Sequence, residues 1–92
     1  MDALAELRSL FIERCRKDLM ELERLRSEAD AEAMGAIAHR LAGAAGSFGF
    51  PEISECALAV DQRLRDGHGA PGPELEKLLE RLRELQHQTR GA

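Results

Sequence analysis

Apolar side chains recur every three or four residues along nearly the whole chain, a spacing that predicts helix after helix. Over about Asp2 to Glu28 the stripe is Leu4, Leu7, Phe11, Cys15, Leu19, Leu22 and Leu25, with Arg8, Glu13, Arg16, Glu23 and Arg24 mostly off it. One continuous helix and a helix broken once both fit that pattern. A second helix is predicted from about Asp30 to Ser47, its start capped by Ser27 or Asp30 and its stripe formed by Met34, Ile37, Ala38, Leu41, Ala45 and Phe48. Gly49 and Pro51 mark a stop and a restart. The third helix spans about Pro51 to Asp66 and turns Ile53, Cys56, Ala57, Val60 and Leu64 inward. Gly67, His68, Gly69, Ala70, Pro71 and Gly72 read as a loop. The last helix runs from about Pro73 to Gln88 on Leu75, Leu78, Leu79, Leu82 and Leu85, and Thr89 to Ala92 are expected to fray. No alternating β-branched run suggests a strand.

Amphipathic helices joined by short loops cannot bury their stripes singly. The economical arrangement is all-α, an up-and-down four-helix bundle. At 92 residues this is one small domain, 1–92, with too little chain for a second core. Leu, Ala, Glu and Arg dominate, and all are strong helix formers. Net charge is −4 with both signs interspersed, and Trp and Tyr are absent. Without a basic stripe or base-stacking aromatics, nucleic-acid binding is disfavoured. No stretch approaches the ~20 apolar residues of a membrane span, and no signal peptide is evident, so a cytoplasmic protein is expected. Cys15 and Cys56 lie in apolar helical stretches, where a buried free thiol is the default.

The second helix breaks the pattern of apolar face and charged face. With Leu41 taken as the centre of its buried side, His39 falls ~200° away and is expected to project outward. Gly35, Ala36, Ala42, Gly43 and Gly46 surround it, where an exposed helix would carry Lys, Glu or Arg. Three glycines in a helix interior cost on the order of 2 kcal/mol together relative to alanine. A partner's need to approach the imidazole closely would account for that cost. A lone exposed histidine is otherwise most often plain surface, and helical glycines can also serve helix packing.

The stretch Ala38-His39-Arg40-Leu41-Ala42-Gly43-Ala44-Ala45-Gly46-Ser47-Phe48-Gly49 resembles the signature of histidine-containing phosphotransfer domains, and the resemblance extends over nearly the whole chain. Ala38, His39, Leu41, Gly43, Ala44, Ala45 and Gly49 match position by position. One position departs: the family commonly has Lys three residues after the histidine, and here it is Ala42. Arg40 carries the nearest positive charge in sequence.

The resemblance implies a phosphocarrier rather than an enzyme. His39 would accept a phosphoryl group through Nε2 from a receiver-domain aspartate and pass it to another receiver. Expected partners are response-regulator receiver domains and a (hybrid) sensor histidine kinase. Gly35, Ala36, Arg40, Ala42, Gly43 and Gly46 would form the docking surface. No cofactor or metal is expected on this chain, Mg²⁺ belonging to the receiver. A single complete bundle suggests a monomer. The alternative is a docking bundle that is never phosphorylated. His68 and His87 are expected to be surface histidines, and the Glu84-x-x-His87 spacing lacks the second copy that a di-iron bundle needs.

Overall fold

The computed structural model describes residues 2–67 and 72–90, without the side chain of Arg90. Four helices follow in order, α1 (Ala3–Glu28), α2 (Ala31–Ser47), α3 (Pro51–Arg65) and α4 (Gly72–Arg90). Each packs against its neighbours in sequence, and α1 also packs against α4, which closes an up-and-down four-helix bundle. The predicted loop positions His68, Gly69, Ala70 and Pro71 lie outside the described residues, as do Gly91 and Ala92.

The helix boundaries have local chemical causes. Asp2 caps α1, its carboxylate accepting from the Leu4 N–H at 3.0 Å. Between α1 and α2 the choice of cap falls to Asp30, which accepts from the Ala33 N–H at 3.1 Å. The Ser27 hydroxyl instead donates back to the Arg24 carbonyl. α1 is continuous and stops at Ala29, the one non-glycine with positive φ among the described residues (57°). The Ala29 and Asp30 N–H groups donate to the Arg26 and Leu25 carbonyls, closing the last turn as a left-handed cap does. A Cβ in that conformation costs ~1–2 kcal/mol, partly offset by glycine's freedom in the unfolded chain, ~0.4–1 kcal/mol. Ala29→Gly is therefore expected to stabilise the bundle, raising the thermal midpoint by ~3–6 °C. A calorimetric scan with an unchanged or lowered midpoint would contradict the cap assignment.

The buried set follows the predicted stripes closely on α4, where Leu75, Leu78, Leu79, Leu82 and Leu85 are all inside. α1 departs from its stripe at two places. Leu4 and Leu7 are exposed, as is Leu10. At 1.5 Å per residue, α1 is ~39 Å long against ~23 Å for α3 and ~29 Å for α4, so its first turns run past the bundle's end. That end is closed by Phe11, stacked on Phe48 at 5.1 Å and Phe50 at 5.5 Å between ring centroids. Further along, Asp18 is buried in the position expected of an apolar residue, and Leu19 is only half-buried. The Asp18 Oδ1 accepts from Arg40 Nη2 at 2.5 Å and lies 3.5 Å from Arg14 Nε, while its Oδ2 has no partner.

Candidate functional site

The residues buried on α2 are Met34, Ala38, Leu41 and Ala45. Two of these are alanines with no exposed surface, and such small side chains let neighbouring backbones come close. The centre of these four lies between Ala38 and Leu41 around the helix. Measured from that centre, His39 is ~130° away rather than opposite the core. It leans toward α3. The side chain is 66% exposed, yet its Nδ1 edge rests on α3.

Two α3 residues meet that edge. Nδ1 lies 3.2 Å from Asp61 Oδ2 and 3.1 Å from Arg65 Nη2. Arg65 Nε also donates to both Asp61 oxygens at 3.1 Å. Nδ1 can serve only one of its two neighbours in a given tautomer. Protonated, it donates to the carboxylate in a charge-assisted bond, the stronger of the two options. Arg65, itself exposed, keeps its contact with Asp61 either way. The proton therefore belongs on Nδ1, and the lone pair sits on Nε2. Asp61 is only 8% exposed. Burial pushes its carboxyl upward, but hydrogen bonds from His39 and Arg65, together with the Arg65 charge, outweigh it and hold the group below the usual aspartate range. It is an ionised acceptor at neutral pH.

The small residues of α2 divide by direction. Gly43 stands in the open, and a Cβ built there meets nothing within 4 Å. Ala36 is exposed as well. Gly35 and Gly46 instead face α3: an added Cβ would lie 3.3 Å from Leu64 Cδ1 and 3.4 Å from Ser54 Oγ, respectively. Gly35 thus admits α3, while Gly46, still exposed, borders the seam at about ordinary contact distance. Ala42 is half-buried on the same side, and its carbonyl accepts from Ser54 Oγ at 2.6 Å. This close seam allows Asp61 to reach the ring. Arg40 turns the other way, to Asp18 on α1, so the cation beside the imidazole is Arg65. Of the six residues around His39, two are in the open, three line the α3 seam and one faces α1.

Asp61 and Arg65 escaped the sequence reasoning, although a signal existed for the first. Asp61 continues the inward stripe of α3 one turn after Ala57, and a carboxylate on an apolar stripe needs a partner. The Cys15 thiol is pushed up to about 12, chiefly by burial and further by the Asp18 charge, with Arg40 opposing. It is no nucleophile at neutral pH. Both cysteines are free. His87 is exposed, and Glu84 is occupied by Arg81 at 2.8 Å. Among the described residues no cluster of three metal-ligating side chains occurs, and no helix is long and apolar enough to cross a membrane.

Compared with known proteins, the chain matches the family model described as Hpt domain over residues 6–89. No curated protein and no solved structure matches it.

Proposed function

Because the chain belongs to the Hpt domain family, we propose that it is a phosphorelay intermediate whose His39 accepts a phosphoryl group from a receiver-domain aspartate and hands it to another receiver. The family works in phosphotransfer within two-component signalling, in company with receiver domains and kinases, and its members are phosphocarriers rather than catalysts. The observation that carries the assignment to His39 is its exposed ring, with Nδ1 held against an ionised carboxylate.

In the proposed step the Nε2 lone pair attacks phosphorus in line. The new N–P bond forms as the bond to the aspartyl oxygen breaks, and the electron pair leaves with the carboxylate. His39 keeps its Nδ1 proton, so the phosphorylated ring carries positive charge. Asp61 offsets that charge from the other ring edge. Arg65, anchored on Asp61 and otherwise exposed, is the cation beside the ring in the absence of the usual lysine at position 42, and its remaining N–H donors would have to swing past the Nδ1 edge to meet phosphoryl oxygens on Nε2. Orientation and charge stabilisation are most of what phosphoryl transfer requires, and the receiver with its Mg²⁺ supplies the larger share.

The test is to mix the chain with phosphorylated receiver domains and follow the label. Transfer to this chain as acid-labile, base-stable phosphate is expected. If the chain docks a receiver without becoming labelled, it is a non-phosphorylated docking bundle instead.

Asp61→Asn keeps the shape and an acceptor oxygen but removes the charge. It is expected to slow acceptance roughly tenfold, the scale of a hydrogen bond to a charged group, with the helical spectrum unchanged. Its pH dependence has a definite sign. A folded-state value held below the ordinary ~3.9 contributes stability that is fully present above that value and is lost as pH falls through the folded one. Acid titration of wild type followed by circular dichroism should therefore show an Asp61-dependent loss only below pH ~4. A loss that begins near neutrality, or one shared by Asp61→Asn, would contradict the role assigned to this carboxylate.

A further inference from the structure

The chain carries a net charge of −4, yet the surface on the α1 side of His39 is positive. Several exposed arginines elsewhere are matched to exposed carboxylates: Arg16 to Glu13, Arg24 to Glu21 and Glu28, Arg83 to Glu23. In the groove between α1 and α2 the matching fails. Arg14 and Arg40 share one carboxylate, that of Asp18, whose side chain is 5% exposed. Lys17 makes no ion pair among the described residues. Glu21 borders the same groove but is engaged by Arg24. Arg24 also serves Glu28, so with Glu21 counted the three cations of the groove face two carboxylates and one surplus positive charge remains.

Asp18 also holds the Arg40 guanidinium in place through Oδ1, and Arg40 lines the groove. Ala36 lies in the groove wall, and with Gly43 it lies between Arg40 and His39 around α2. A protein surface covering the imidazole and these two small residues therefore reaches the cations.

We infer that the groove formed by Arg14, Lys17 and Arg40 is a docking subsite for acidic side chains on the partner receiver domain. It supplies orientation and partner choice, while His39 supplies the chemistry. The inference rests on a receiver being the partner. Charge complementarity of this kind governs encounter rate and discrimination between partners, and it weakens with salt.

The experiment measures receiver binding by fluorescence anisotropy between low and high salt, for the wild-type chain and for Arg14→Glu combined with Lys17→Glu. Lys77→Glu on α4 is the control, since α4 does not pack against α2. The double variant is expected to raise Kd about tenfold or more at low salt and to flatten the salt dependence, with Lys77→Glu close to wild type. An unchanged Kd in the double variant would overturn the subsite, and so would a loss in Lys77→Glu half as large or more on the logarithmic scale, since that variant makes half the charge change and would then indicate net charge alone. Phosphoramidate, a small phosphoryl donor that needs no docking, is applied to the wild-type chain in parallel. If it labels His39 while no receiver binds, the subsite is wrong and the phospho-accepting role stands. If receivers bind through the groove but neither they nor phosphoramidate label His39, the subsite stands and the phosphorelay role is wrong.

Discussion

His39→Gln is expected to fold like the wild type and to accept no phosphoryl group from any receiver. The side chain is 66% exposed and contributes nothing to the buried set, so its loss removes no packing. Glutamine can still meet Asp61 through its amide N–H, which keeps that buried carboxylate satisfied. What it lacks is a nucleophilic nitrogen: an amide nitrogen has no lone pair free for attack on phosphorus. Loss of labelling with an unchanged circular dichroism spectrum is the expected pair of results. Labelling that persists in the variant would place the acceptor elsewhere, and Cys15, held protonated at neutral pH, is a poor candidate.

Gly43→Glu should block docking while leaving the bundle intact. A Cβ at this position has open space around it, and replacing glycine in an exposed helix interior favours the helix by several tenths of a kcal/mol. The same side chain stands one turn from His39, where a receiver must seat. Burying an unpaired charge in an interface costs ~2–5 kcal/mol, which is on the order of a hundredfold or more in transfer. Stopped-flow transfer with the variant should fall by that factor, and its thermal midpoint should not fall. Wild-type transfer rates would remove Gly43 from the docking surface.

The fold was largely legible because the leucine stripes decide it. On α4 every predicted inward position is buried, and Gly49 with Pro51 separates α2 from α3 as their backbone preferences require. Length mismatch was not legible. Leu4 and Leu7 continue the α1 stripe in phase, and only the shorter partners reveal that nothing lies opposite them. Buried charge was missed for a related reason. Asp18 and Asp61 occupy apolar phases on α1 and α3, and periodicity counts only apolar residues. Each has a partner 22 residues away on α2, Arg40 for Asp18 and His39 for Asp61, while Arg65 lies one turn after Asp61 on α3.

The site was half legible. An exposed His39 follows from its phase on α2, but the direction in which it leans does not. Leu41 is at the α1 edge of the buried face, so angles taken from it place the ring too squarely outward. The four buried residues together shift the reference toward α3 and bring the imidazole beside Asp61. The same shift turns Gly35 from clearing into seam and sets Gly46 at its border. Small residues on a helix admit whatever lies next to them, and composition alone does not distinguish a partner protein from the neighbouring helix.

The most direct measurement is to incubate the chain with a phosphorylated receiver and locate the phosphate by tandem mass spectrometry under alkaline conditions, with ³¹P NMR to identify the substituted nitrogen. A single phosphoryl group on Nε2 of His39 is the predicted result. Phosphate on Nδ1, on another residue, or on none would contradict the account, since the Nδ1 edge is the one turned to Asp61.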